Sequence, residues 1–293
     1  MNRFMTIRKY GLYGCRLIAF MAIIGFATVG MAPVEAAPQA ELWPKWNEYD
    51  PSSGTRVDHS SWGDFLQVYL VTDAPSGVNL LRYSQVTESD RQKLQAYLAQ
   101  LQQVRVTQLN RAEQKAYWIN FYNALTVKVV LDHYPVRSIR DINLSSGPFG
   151  LFTGGPWKAK LIQVEGEKLS LDDIEHRILR PIWRDNRIHY AVNCASIGCP
   201  NLQPKPFTAA NTESVLNKAA RDYINHPRGV KLISSGKIAL SSIYDWFQED
   251  FGGSQQGVLR HLENYAAPPL LKGLANFQGK IDYHYDWTLN KGN

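Results

Sequence analysis

The densest set of reactive side chains in the 293-residue sequence is RIHYAVNCASIGCPNL, residues 187–202. Arg187 to Val192 predict a strand that breaks off at Asn193, which puts the Cys194 thiol on a turn with Ala195, Ser196, Gly198 and Pro200. Backbone N–H groups near Ala195 and Ser196 could converge there, depress a thiol pKa and hold an oxyanion. A thiol nucleophile also needs an imidazole. His176, in Ile174-Glu175-His176, lies on a separate predicted helix and can fold back onto the turn. His189, five residues before Cys194, would point to the opposite face of the strand about 16 Å away. The candidate set is therefore Cys194 as nucleophile, His176 as base and Asn120 or Glu175 as orienter, with Asn123, His189, Asn193, Ser196 and Trp246 in supporting or binding positions. Three other readings stay open for the thiols: a Cys194–Cys199 disulfide, a buried structural thiol, or a metal site. The last is short of ligands, because C-x4-C has no second Cys pair or His-x-His beside it, so neither a metal nor a cofactor is expected.

The elements that must position these residues are legible from caps and periodicity. Residues 111–135, RAEQKAYWINFYNALTVKVVLDHYP, predict a long helix with Asn110 as N-cap, Glu113 three residues on and Pro135 as stop. Ala116, Trp118, Ile119, Phe121, Tyr122, Leu125, Val127, Val129 and Val130 leave it no solvent face, so it is central and buried. Asn120 and Asn123 must then be hydrogen-bonded inside the protein, either tying down loops or serving the site. Thr87 to Asp90 cap a preceding helix, and Ser170 with Asp173 caps the one that carries Glu175 and His176. Residues 157–169 read as a hairpin turning at Glu165-Gly166-Glu167. Strands are expected at 229–233 and 237–240, helices at 213–223 and around 243–251, and a closing strand in GKIDYHYDWTLN. Helices dominate the first half and mixed strands the second, with no internal repeat. The fold class is α+β, a single domain over residues 62–293 with a central buried helix packed on a mostly antiparallel sheet.

The ends of the chain explain its charge. Residues 1–16 carry Arg3, Arg8, Lys9 and Arg16 without an acid, and are followed by LIAFMAIIGFATVGMA and PVEAAPQA. This pattern predicts a signal peptide over residues 1–36, with cleavage after Ala36 and export to the periplasm or beyond. Its removal takes four basic residues and one acid, lowering the formal charge from +6 to +3, and takes Cys15, leaving Cys194 and Cys199. The remaining basic residues are interleaved with acids, so nucleic acid is excluded as a partner, and no stable membrane insertion is expected after cleavage. Residues 37–61 have no sustained period and read as a loosely structured leader.

Five ordered stretches carry a resemblance: KAYWINFYNALTVK (115–128), LSLDDIEHRILRP (169–181), RIHYAVNCASIGCPNL (187–202), IYDWFQEDFG (243–252) and YDWTLN (285–290). Together they resemble the family catalogued as domain of unknown function 547, found in exported bacterial and in plant proteins, over roughly residues 62–290. The resemblance implies a single important thiol at Cys194, because plant members keep it without a match for Cys199. By analogy it also implies a papain-like site in permuted order, with the histidine ahead of the cysteine. The reaction would be hydrolysis or acyl transfer at an amide or ester of a small molecule, peptide or glycan. The rival expectation is a non-catalytic envelope module that binds glycan or peptide on Trp157, Tyr244, Trp246, Phe247 and Trp287, with Cys194 and Cys199 as a staple.

Overall fold

Capping chemistry sets most of the element boundaries. The computed structural model describes Met1 and residues 38–144 and 155–292, so the expected signal peptide, Met1 apart, lies outside the described residues. After α1 (Ser60–Tyr69) and the two-residue strands β1 (Leu70–Val71) and β2 (Leu80–Leu81), Thr87 opens α2 (Glu88–Gln102) by accepting the Asp90 N–H at 3.2 Å. Asn110 opens α3 (Arg111–His133) in the same way, accepting the Glu113 N–H at 3.0 Å, and Pro135 follows its end. The strands β3 (Ile162–Val164) and β4 (Glu167–Leu169) are joined by Glu165 and Gly166, whose φ angles of 44° and 85° give a two-residue hairpin turn of the expected kind. Glu165 holds its left-handed conformation while its carboxylate accepts the Thr107 N–H at 2.9 Å.

Ser170 and Asp173 form a capping box. The serine oxygen accepts the Asp173 N–H at 3.1 Å and the aspartate accepts the Ser170 N–H at 2.8 Å. The helix they open is wound wide: Asp173–Leu179 is π-helical, with the Arg180 N–H bonded to the Glu175 carbonyl, before α4 (Arg180–Trp183) completes it. The remaining elements are α5 (Thr212–Ile224), β5 (Val230–Ser234), β6 (Lys237–Ser241), α6 (Ile243–Trp246), α7 (Gln255–Glu263), α8 (Pro268–Leu274) and β7 (Lys280–His284). The chain is α+β, and the described residues from 38 on form one compact unit.

Three expectations need correction. The central helix does not rest on a sheet: α3 packs on α2, the π-helical segment and α5, while the strands form three separate small sheets. A helix apolar on every side needs partners on every side, which helices supply more readily than one flat sheet. Within those sheets the pairing is antiparallel except for β6 with β7, which run parallel. The second correction concerns residues 187–192, expected as a strand. Asn186–Tyr190 form a 3₁₀ helix, because Asp185 accepts the Arg187 N–H at 3.0 Å and caps it. Third, the segment after residue 37 is not loose. Trp46 is 1% exposed and meets Trp118 edge to face at 5.3 Å, and the N–H groups of Glu41 and Trp43 bond to the His176 and Arg177 carbonyls.

Two apolar cores result. One surrounds α3 and includes Ile188 and Ala191, and the other lies among α5, β5, β6 and α7 and includes Tyr190. The 3₁₀ turn thus bridges them, immediately ahead of Cys194. Among the described residues no helix is long and apolar enough to cross a membrane.

Candidate functional site

The turn at Cys194 is built from two sides. From α3, Asn123 donates to the Ala191 carbonyl at 2.9 Å and accepts the Asn193 N–H at 2.8 Å. Asn193 in turn donates to the Pro200 carbonyl at 2.8 Å and accepts the Ala195 N–H at 2.9 Å, which holds Ala195 at a left-handed φ of 58°. From the other side, the C-terminal stretch lies against the turn as a partner strand would. Ile197 and Gly198 donate to the Thr288 and Asp286 carbonyls, both at 2.8 Å, and the Asn290 N–H reaches Ala195. Gly198 is required there, since a Cβ would stand 2.8 Å from the Asp286 nitrogen. Two of the resembling stretches, 187–202 and 285–290, are therefore one structural unit.

Cys194 and Cys199 are joined as a disulfide, with Cα atoms 6.2 Å apart. Cys194 is half-buried and Cys199 buried. The Cys194 sulfur lies 3.1 Å from the Tyr285 hydroxyl and 3.3 Å from that of Ser196, and no described histidine hydrogen-bonds to it. Of the two N–H groups expected as oxyanion donors, that of Ala195 is given to Asn193. Asn120 does not orient an imidazole. Its amide donates to and accepts from the Phe207 backbone at 2.7 and 2.9 Å, so the two asparagines of α3 clamp two different loops. Cys194 in this form is no free nucleophile.

The histidines belong to a buried polar cluster on the π-helical segment. Arg180 donates to His176 Nδ1 at 3.0 Å, which leaves the His176 proton on Nε2. His189 Nε2 is 2.7 Å from Asp250, stacks on Phe247 at 4.3 Å, and turns Nδ1 toward Glu175 at 3.7 Å. Burial lowers the His176 pKa well below its ordinary value, helped by the Arg180 cation. Burial lowers His189 too, against the pull of Asp250. Asp250 goes the opposite way to its desolvation, held well below the usual carboxylate range by hydrogen bonds from His189 and Arg180. Glu175 is pushed up to about 7, because burial outweighs the Arg180 charge and a hydrogen bond from Tyr122. Asp250, Arg180, Tyr122 and Tyr285 were not singled out by the sequence. All four lie within the resembling stretches 115–128, 169–181, 243–252 and 285–290, which is the signal the sequence offers for them.

Between this cluster and the disulfide lies an aromatic face. Trp246, Tyr285 and Trp287 touch mutually, with centroids 4.7–5.6 Å apart, and Trp157 meets Trp287 at 5.7 Å. All four are half-buried, whereas Trp46, Trp62 and Trp118 are within 1% of full burial. Tyr244, expected on this face, is wholly buried, and Phe247 is covered by His189. A groove of about 450 Å³ between α2 and the β3–β4 hairpin, lined by Gln102, Arg105, Gln163 and Glu165, touches none of these residues. Among the described residues no group of His, Cys, Asp and Glu is placed to hold a metal.

Comparison with known proteins gives one match: the family model described as "Protein of unknown function, DUF547" matches residues 106–224. No curated protein and no solved structure matches the chain.

Proposed function

Residues 106–224 match the DUF547 family model, and from that premise we propose that the chain is an exported, non-catalytic envelope module that binds a glycan on its Trp157–Trp246–Tyr285–Trp287 face. The observation that carries this reading is that four large rings are left half-buried and adjacent, whereas Trp46, Trp62 and Trp118 are almost wholly buried. Sugar rings present C–H faces that stack on such surfaces, and polar groups at the rim fix their orientation. Arg140, 5.2 Å over Trp287, is a polar group beside this face, and the Asp172 N–H bonds to the Trp157 carbonyl. Export rests on the basic and apolar pattern of residues 1–36. In this reading the Cys194–Cys199 disulfide and the Asn123 clamp keep Tyr285 and Trp287 in place.

Titration of cell-wall oligosaccharides should quench the tryptophan fluorescence of the wild type. Trp246→Ala should weaken binding by at least about tenfold, the loss of roughly 1–2 kcal/mol of stacking, with an unchanged melting curve. Binding that survives this change would exclude the face.

A second reading is favoured by one observation, the proximity of Glu175, with its proton affinity near neutrality, to Tyr285 beside Cys194. It is a papain-like, permuted thiol hydrolase or acyltransferase that works only when Cys194 is reduced. After reduction, a cysteine-directed acyl electrophile should then label Cys194, and Glu175→Gln should slow labelling several-fold. Equal labelling of wild type and variant would remove Glu175 from any such mechanism.

A further inference from the structure

We propose that the Cys194–Cys199 disulfide is a thiol–disulfide exchange site that oxidises dithiol peptides, with Cys194 as the sulfur attacked and Cys199 as the sulfur released. The two sulfurs are unlike. Cys194 is half-buried at the edge of the aromatic face, and Cys199 lies inside. A disulfide is opened by in-line attack on one sulfur while the other departs as a thiolate, and the departing sulfur is the one whose negative charge is better stabilised.

Cys199 is provided for in that respect. Its sulfur accepts the Cys194 backbone N–H at 2.8 Å and the Tyr285 O–H at 3.3 Å. The Tyr285 hydroxyl is also 3.1 Å from the Cys194 sulfur, so it can follow the charge from one sulfur to the other without moving its ring. Arg228 adds a fixed cation beside the loop, donating to the Ile197 carbonyl at 3.3 Å and to Asn201 at 2.7 Å. Hydrogen bonds and a nearby cation both favour a thiolate. Among the described residues the Cys194 sulfur meets hydroxyls alone, those of Tyr285 at 3.1 Å and Ser196 at 3.3 Å, so the short backbone N–H bond is what sets Cys199 apart.

In the first step a substrate thiolate attacks the Cys194 sulfur. The bond between the two protein sulfurs breaks, its electron pair leaves on Cys199, and a mixed disulfide joins substrate to Cys194. In the second step another thiolate of the same substrate attacks the substrate sulfur of that mixed disulfide. A substrate disulfide forms and Cys194 departs as a thiolate. The substrate loses two electrons and two protons, and the protein gains two thiols. A peptide carrying two cysteines fits this chemistry, because Tyr285, beside the attacked sulfur, is in ring contact with Trp246, and the pair can bear an extended chain.

The test uses the oxidised native protein and a synthetic dithiol peptide with an aromatic residue. The expected result is stoichiometric oxidation of the peptide by the wild type. Cys199→Ser, mixed with the disulfide form of a monothiol peptide, should accumulate a mixed disulfide mapped to Cys194 by mass, whereas Cys194→Ser should leave Cys199 unreacted until urea is added. Tyr285→Phe keeps the ring and should slow exchange about tenfold, the effect of one hydrogen bond to a charged sulfur. The proposal is overturned if the native disulfide resists the dithiol until the protein is unfolded, if the trapped sulfur is Cys199, or if Tyr285→Phe exchanges at the wild-type rate. None of these outcomes depends on glycan binding, so the exchange site and the glycan face can fail separately.

Discussion

Asn123→Leu should destabilise the protein by about 2–5 kcal/mol, read as a lower urea midpoint at unchanged slope. The side chain keeps its volume but leaves the Ala191 carbonyl and the Asn193 N–H without partners in a dry interior, and each such group costs about 1–3 kcal/mol. Both bonds are short, at 2.9 and 2.8 Å, and Asn123 is 2% exposed, so water cannot replace them. Asn120→Leu should cost a similar amount, because it abandons both backbone groups of Phe207. The two variants should part in one respect. Asn123 holds the backbone that leads into Cys194 and Asn120 does not, so only Asn123→Leu should speed reduction of the Cys194–Cys199 disulfide beyond what its lower global stability accounts for. Equal reduction rates at matched stability would contradict the separate roles of the clamps.

Glu175 should impose a pH dependence that runs against that of the histidines. Its carboxyl titrates at about 7 in the fold against 4.5 as an ordinary glutamate, so the folded state holds the proton more tightly. Its contribution to stability is complete below pH 4.5 and is lost as the pH rises through 7, by about 3 kcal/mol in total. Buried His59 and His261, lowered from 6.5 to about 4 chiefly by burial, act in the opposite sense. Their contribution is complete above pH 6.5 and is lost as the pH falls through 4. Together these groups place the stability maximum at about pH 7. In Glu175→Gln, which can still accept the Tyr122 hydrogen bond, this loss should disappear, so that between pH 4 and 8 the variant gains about 3 kcal/mol relative to the wild type, more than half of it below pH 6. Urea titrations of both proteins across this range test it, and a variant whose pH profile parallels that of the wild type would place the responsible group elsewhere.

What the sequence made legible was local. Asn110, Thr87, Ser170 and Asp173 announce helix starts because a side-chain oxygen and an N–H three residues on need nothing else to meet. Glu165-Gly166 announces a hairpin for the same reason. The clamp role of Asn120 and Asn123 could be read as a necessity of burial, but not their partners, which lie 87 and 70 residues away. Residues 187–192 misled because Ile188 and Tyr190 alternate as a half-buried strand would. Each is instead buried in a different core, and Asp185, which caps the 3₁₀ turn, was a turn-former in plain view. His176 failed to reach Cys194 because Arg180, one helical step along, takes its Nδ1. That competition exists only once the wide π-helical winding sets both side chains inside.

The seam between residues 195–198 and 286–290 has a consequence for the order of assembly. The turns and caps close over three or four residues, and the two cysteines, five residues apart, can meet with little of the fold present. Tyr285 reaches Cys194 across 91 residues, and the backbone bonds of Ile197 and Gly198 wait on the same distant segment. Contacts between residues so far apart in the chain are slow to form. Until that segment docks, the sulfurs have neither their hydroxyl nor their aromatic surround. The chemistry of this turn is thus withheld from the unfinished chain and becomes available only to the completed fold.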